Sequence, residues 1–305
     1  MRGIKRLLRS LIDRIETPFQ RAFGARGNPF AQLGALGWFF FWIVAASGVY
    51  LYAFCDTGVT RAYQSVEALT HSQWWAGGVL RSLHRYASDA LVVIMLVHMT
   101  REFAYDRLRG VRWFAWITGL ILVPFIYACG VTGYWMVWDR LAQYVAQTTT
   151  EWLDALPIFA EPLTRNFLDN AHLSGRFFTL MAFLHIATPL LLLLTMWIHI
   201  QRHSEARVNP SRELAAATFA MLLVLSLLRP ALSQPPADPA GPQTPGVRNL
   251  RATRVTSVAD GTTRAGRSMI TNNFRSYRMN NLLSKKYFRN NAFERPLIGC
   301  VDCLL

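Results

Sequence analysis

Two apolar segments of this sequence each carry a pair of histidines with thirteen residues between them. His84 and His98 lie in "RSLHRYASDALVVIMLVHMTR", and His185 and His199 lie in "HIATPLLLLLTMWIH". Imidazole is costly in hydrocarbon, so four such residues in apolar segments need a chemical reason. An interval of fourteen residues is just under four helical turns, which places both histidines of a pair on nearly one face, about 21 Å apart. The pattern predicts two helices that present imidazoles at two matching depths.

The composition favours a membrane protein. The chain has 305 residues, of which 52% are hydrophobic, yet its formal net charge is +14. Apolar composition with basic loops is more typical of an integral membrane protein than of a soluble nucleic-acid binder, and we expect no nucleic-acid partner. Because about 20 apolar residues cross the hydrocarbon layer, we predict five spans. They lie within residues 27–55, 78–100, 113–138, 177–201 and 214–233.

The loop charges predict the orientation of these spans. The first thirty residues contain seven Arg or Lys and two acids, and the loops 101–112 and 202–213 contain four and three arginines. The connection 139–175 contains five acids and two arginines. Basic loops stay in the cytoplasm, so the N-terminus is predicted to be cytoplasmic, in a bacterial inner membrane. Both histidine helices then run from outside to inside.

Four regions are predicted along the chain. Residues 1–30 form a basic amphipathic segment on the cytoplasmic face, and residues 31–205 form a four-helix bundle. Residues 206–235 contain a fifth transmembrane helix, and residues 236–305 form a Pro-rich linker and a basic tail. From Arg248 the tail has eleven Lys or Arg against three acids. It is predicted to be disordered, or to be an extended arm that binds a partner or anionic lipid.

Two parallel helices of this kind bring the histidines together as two facing pairs. His84 is predicted to face His185 near the outer surface, and His98 to face His199 near the cytoplasm. Zinc takes three or four ligands and each pair offers two, whereas a haem iron takes one axial imidazole on each side. We therefore predict two bis-histidine haems, which suit electron transfer. The haem-free alternative is a channel or transporter whose histidines form only interhelical hydrogen bonds.

The glycines of the first and third predicted spans repeat the same interval. Gly34 and Gly48 are fourteen residues apart, and so are Gly119 and Gly133. Because glycine lets a backbone approach a flat object closely, these four residues are predicted to pack against the two macrocycles.

Two arginines lie one helical turn from histidines of the second span. Arg81 precedes His84 by three residues, and Arg101 follows His98 by three. They are predicted to pair with haem propionates, which are anionic. The alternative is that both side chains extend to the lipid headgroups.

Together with "GYWMVWDRLAQYVA" (133–146) and "DALPIFA" (154–160), these features make residues 20–210 resemble a known family. It is the cytochrome b of quinol-oxidising cytochrome bc complexes, with its split form in bf-type complexes. The resemblance implies an all-α transmembrane four-helix bundle with two haems b, plus a fifth helix and a basic tail. It also implies that His84 and His185 ligate a low-potential haem, and His98 and His199 a high-potential one.

The resemblance implies a function in electron transport. The chain would be the electron-transfer subunit of a quinol-oxidising oxidoreductase, with quinone as its mobile substrate. Its partners would be a Rieske iron–sulfur protein, a separate C-terminal-half cytochrome b subunit and a c-type cytochrome, in a dimeric complex. Asp139 would line the outer quinone site, and Arg202 or His203 would lie near the inner one.

Three departures from the family pattern favour a second role. Val137 stands where the family has proline, and Arg140 where it has glutamine. The Pro-Glu-Trp-Tyr element of the quinol-oxidation site does not occur in this sequence. The alternative function is a haem b membrane anchor that links the quinone pool to a periplasmic dehydrogenase or reductase.

Overall fold

The computed structural model of the chain describes residues 2–155, 168, 175–201 and 207–238. Eight α-helices account for most of these residues, and no β-strand occurs among them. The predicted all-α membrane fold is confirmed. The helices are α1 (Arg2–Gly27), α2 (Leu33–Phe54), α3 (Ala62–His71), α4 (Val79–Ala104), α5 (Trp113–Met136), α6 (Arg140–Asp154), α7 (Gly175–Gln201) and α8 (Arg212–Leu228).

The bundle consists of two antiparallel helix pairs. Helix α2 packs along the length of α4, and α5 packs along the length of α7. Gly34 near the start of α2 lies beside His98 near the end of α4, while Gly48 lies beside His84. The pair α5–α7 has the same arrangement. We refer to the depth of His84 and His185 as the His84 level, and to that of His98 and His199 as the His98 level.

An apolar layer joins the two pairs midway between the histidine levels. Its buried members are Phe41 of α2, Leu122 and Ile126 of α5, and Leu192 and Met196 of α7. Inside a membrane, close packing of this kind holds helices together because lipid tails are as apolar as the side chains. The layer therefore fixes how α2 and α4 sit against α5 and α7.

Three stretches of the described chain are long and apolar enough to cross a membrane. They are Pro29–Phe54, Trp113–Met136 and Phe177–Gln201. Helix α4 is less apolar, but two of its charges, Arg85 and Asp89, form an ion pair with a nitrogen–oxygen distance of 3.1 Å on its own surface. Helix α8 has 17 residues, which is about 25 Å of helix against a hydrocarbon thickness of about 30 Å. The fifth span therefore stays a prediction.

Helix α1 is the predicted basic amphipathic segment. It presents an exposed apolar row, Ile4, Leu7, Leu11, Ile15 and Phe23, and it packs against α4 through other residues. Its location on the cytoplasmic face remains a prediction.

The connection between α5 and α6 turns sharply. Trp138 has a φ of 52°, a value that is uncommon for a bulky residue. Asp139 then begins α6, because its Oδ1 accepts a hydrogen bond of 2.8 Å from the backbone N–H of Ala142.

Helix α8 ends at Leu228 rather than near residue 233. Arg229 precedes Pro230, and proline disfavours helical geometry in the residue before it. Residues 229–238 return over the His84 end of the bundle, where the Ala231 N–H donates to Ser82 Oγ at 2.9 Å. The Arg140 N–H also donates to the carbonyl of Pro235, at 2.9 Å. The predicted linker and tail beyond residue 238 lie outside the described residues.

Candidate functional site

The fold brings His84 of α4 and His185 of α7 together. Their ring centroids are 6.3 Å apart, and the ring planes make an angle of 65°. A metal ion bound to one nitrogen of each ring needs about 2 Å on either side. Subtracting these two bonds from the observed 6.3 Å between the centroids leaves about 2.3 Å. This remainder is about twice the distance from the centre of a five-membered ring to one of its atoms. The separation therefore matches the distance expected for two imidazoles that share one metal ion.

A hydrogen bond fixes which nitrogen of His84 is free for a metal. Its Nδ1 lies 3.0 Å from the carbonyl oxygen of Val44 and 3.2 Å from the hydroxyl oxygen of Ser47. A carbonyl oxygen can only accept a hydrogen bond, so Nδ1 must carry the proton. Nε2 then has the lone pair that a metal ion binds, and the α2 backbone orients the ring.

The other helix pair repeats this arrangement. The Nδ1 of His185 lies 3.0 Å from the carbonyl oxygen of Cys129 and 3.3 Å from the hydroxyl oxygen of Thr132. At the His98 level, the Nδ1 of His199 lies 3.0 Å from the hydroxyl oxygen of Thr118. The Thr118 hydroxyl donates its own proton to a carbonyl of α5 at 2.9 Å, so its oxygen accepts from the ring.

Each of the four predicted glycines lies against a histidine ring. A Cβ added at Gly34 would lie 3.8 Å from Cε1 of His98, and one at Gly119 would lie 3.4 Å from Cε1 of His199. The space between glycine and histidine ring is smaller at the His84 level. A Cβ at Gly48 would lie 3.0 Å from Cε1 of His84, and one at Gly133 would overlap the ring of His185. In the structure the four glycines contact imidazole rings. Their packing against a haem macrocycle stays a prediction.

The hydroxyl residues that contact the histidines were missed in the sequence. Ser47, Thr118 and Thr132 each directly precede one of the glycines. This pattern was a usable signal, since Thr118 and Thr132 repeat the interval of fourteen. The fourth glycine, Gly34, departs from this pattern because Leu33 and not a hydroxyl residue precedes it.

Each predicted site offers two histidine ligands. Among the residues that the structure describes, no group of three or more His, Cys, Asp or Glu side chains could hold a metal ion. Structural zinc sites almost always have four protein ligands and catalytic ones three. The described side chains therefore favour two-ligand axial binding over a zinc site.

Residues 26–205 match the model of the Cytochrome b/b6/petB family. The chain belongs to the cytochrome b family. It is accordingly a multi-pass membrane protein. Cytochromes b generally bind haem b through histidine ligands.

One solved structure adds to this comparison. A chain of a "Hyperthermophilic respiratory Complex III" superposes with a TM-score of 0.53 at 17% sequence identity. The alignment covers 72% of this cytochrome b and 64% of that chain. At this identity the likeness shows the shared fold alone, and the present chain spans less than two thirds of the other.

The two arginines predicted to pair with propionates have carboxylate partners in this cytochrome b. Arg101 lies 3.2 Å from Glu16 of α1, and Arg81 lies 3.7 Å from Glu67 of α3. Arg81 also donates to the hydroxyl of Ser233 at 2.7 Å. Both arginines lie on α4, each one helical turn from one of its histidines. Their pairing with propionates stays a prediction.

Of the three residues predicted near the quinone sites, the structure describes only Asp139. Asp139 is buried, with 4% of its surface exposed. Its Oδ1 caps α6, and its Oδ2 accepts from the backbone N–H of Gln234 at 2.9 Å. Arg202 and His203 lie outside the described residues.

Replacement of Thr132 by valine tests what orients His185. We expect this cytochrome b to keep both haems, because the carbonyl of Cys129 still accepts the Nδ1 proton. The loss in haem affinity should stay below the roughly 10- to 100-fold typical of a lost outer hydrogen bond to a metal-binding histidine. Haemin titration of the purified apoprotein measures it. Loss of one haem would mean that the hydroxyl, and not the carbonyl, orients the ring.

Proposed function

We propose that this cytochrome b carries electrons across the membrane between quinol or quinone and a redox partner, through two bis-histidine haems b. His84 and His185 would hold one haem, and His98 and His199 the other. The observation that carries the proposal is the 6.3 Å separation of the His84 and His185 rings. It is supported by the matching intervals of fourteen residues on both helices.

The described residues fit such a cofactor in three ways. The Nδ1 hydrogen bonds of His84 and His185 leave Nε2 free for iron on each side. Glycines beside the rings leave no side chain to compete for that space. In addition, Nε1 of Trp135 is a buried donor that has no hydrogen-bond partner within the described structure. A buried donor of this kind is expected where a polar group of a bound molecule completes a site.

The protein itself would orient the histidine rings and keep water out of the space between the two haems. The four histidines would hold the haems, and each haem would supply a one-electron carrier. The carbonyls of Val44 and Cys129 hold the His84 and His185 rings by their Nδ1 protons. The layer around Phe41 and Leu192 fills the space between the levels with apolar side chains. Electrons would thus cross a dry interior.

The proposal includes the setting of the chain. It places the chain in a bacterial inner membrane with a cytoplasmic N-terminus, an orientation that the basic loops favour. In a bc-type complex the partners would be a Rieske iron–sulfur protein, a separate C-terminal-half cytochrome b subunit and a c-type cytochrome, in a dimer. The C-terminal-half subunit would complete the outer quinone site.

One observation favours the second function, a haem b anchor for a periplasmic dehydrogenase or reductase. Both carboxylate oxygens of Asp139 accept backbone N–H groups, one from α6 and one from Gln234. A proton taken from a quinol would weaken those bonds, because a neutral carboxyl is a poorer acceptor than a carboxylate. An anchor would need only the inner quinone site.

The haem content of the purified full-length protein tests the proposal. We expect two b-type haems per chain, both reducible by a quinol in detergent solution. A protein without a b-type absorption band would support the channel or transporter alternative instead. Co-purification with a Rieske protein would support the bc-type complex, and co-purification with a molybdenum or multihaem enzyme would support the anchor.

A further inference from the structure

Helix α1 is joined to the end of α4 by a forked ion pair. The guanidinium of Arg101 reaches Glu16 with Nη2 at 3.2 and 3.3 Å from the two carboxylate oxygens, and with Nε at 3.4 Å from one of them. Only 16% of the Arg101 side chain and 18% of the Glu16 side chain are exposed. Two-pronged contacts between arginine and a carboxylate fix geometry as well as charge. Because the pair is mostly sheltered, its charges are weakly screened.

Glu16 also contacts the segment that leads into α2. Its Oε1 accepts a hydrogen bond of 3.3 Å from the side-chain amide of Asn28, which is fully buried. The Asn28 side chain in turn accepts from the Phe30 N–H at 3.0 Å and so caps the short 3-10 helix before α2. Gly34, which lies against His98, follows directly. Glu16 therefore contacts both α4, which carries His98, and the segment that leads into α2, which carries Gly34.

We propose that Glu16 is a positioning residue that holds Arg101 beside His98 and neutralises its charge there. The inference rests on the proposed function, because it assigns an electrostatic role at the His98 haem. Arg101 follows His98 by three residues, so the two side chains are neighbours on one face of α4. Without Glu16, Arg101 keeps among the described residues only Glu102, at 3.8 Å, a carboxylate that Arg107 and Arg112 also contact. The net positive charge one turn from the ligand therefore rises. Reduction lowers the charge at iron by one unit, so that positive charge favours the reduced state.

Other contacts hold α1 in place without Glu16. Lys5 forms an ion pair with Asp106, and Tyr105 donates a hydrogen bond to Asp13. The hydrogen bond from the Lys5 ammonium lowers the pKa of the Asp106 carboxyl, and burial raises the pKa of the Tyr105 phenol. Removing the Glu16 charge should therefore change the electrostatics at Arg101 without releasing the helix.

Redox titration of the full-length Glu16→Gln protein tests the proposal. The haem transition that is missing in the His98→Ala variant should shift to a higher midpoint potential. The other transition should not move, because the His84 level is about 21 Å away along α4. The matched control is Asp13→Asn, which removes one negative charge from the same helix without touching Arg101. Both of its transitions should keep the wild-type potentials.

Two results would overturn the proposal. One is an unchanged potential in a Glu16→Gln protein that still binds two haems. The other is an equal shift in Asp13→Asn, which would assign the effect to the total charge of α1. Should Glu16→Gln fold poorly, Glu16→Asp keeps the charge but shortens the side chain, and a smaller shift in the same direction is expected. If the wild-type protein binds no haem, it is the proposed function that fails.

Discussion

Alanine at position 98 is expected to reduce the haem content from two per chain to one. His98 is one of the two imidazoles at its level, and the remaining His199 offers a single axial ligand to an iron that needs two. The His84 level should keep its haem, because its ligands and hydrogen bonds lie about four helical turns away. Haem extraction and the reduced-minus-oxidised spectrum measure the change, with one b-type transition lost from the redox titration.

The matched control for this variant is His71→Ala. His71 lies at the end of α3 with 64% of its side chain exposed, and it pairs with Glu67 at 3.2 Å. Its replacement should leave two haems per chain. If His98→Ala also retained two haems, the assignment of the His98 level would be wrong. If it lost both, the two levels would not be independent sites.

The second large effect is expected from Gly133→Ala. The new methyl group would overlap Cε1 of His185 and lie 3.0 Å from its Nδ1. The ring cannot simply move aside, because its Nδ1 is bonded to Cys129 of the same helix as Gly133. Overpacking in a filled interior costs about 1–3 kcal/mol, which is roughly a fivefold to 150-fold loss of haem affinity. Haemin titration of the His84 level measures it.

The matched control is Gly34→Ala, where the added carbon would lie 3.8 Å from His98, an ordinary contact. Haem affinity at the His98 level should change little. The same substitution at Gly48 and Gly119 should give intermediate losses, with Gly48 the larger. Four equal losses would instead show that all four glycines make room for the macrocycles, as the sequence alone suggested.

The fold class and the family could be predicted because their signals are local. Apolar runs of sufficient length predict membrane helices, and intervals of fourteen residues place side chains on one helix face. The all-α membrane fold and membership of the cytochrome b family are confirmed. The end of α8 was placed about five residues too late, since an apolar run gives no weight to Pro230.

The partners of the arginines could not be predicted from the sequence. Glu16 precedes Arg101 by 85 residues, and nothing in its neighbourhood distinguishes it from Asp13. The role of Asp139 as a helix cap that also binds Gln234 likewise depends on how residues 229–238 return over the bundle. Contacts of this kind depend on where separate helices end in space.

The sequence by itself determined the fold class, the family and the spacing of the four histidines and four glycines, because a helix repeats every 3.6 residues wherever it lies. Only the tertiary structure decided which nitrogen of His84 and His185 is free, since a carbonyl of the facing helix takes the Nδ1 proton. It also decided that each glycine lies against an imidazole, more tightly at the His84 level than at the His98 level. These distances are set by how closely α2 approaches α4 and α5 approaches α7, and that approach is a property of the packed bundle rather than of any one helix.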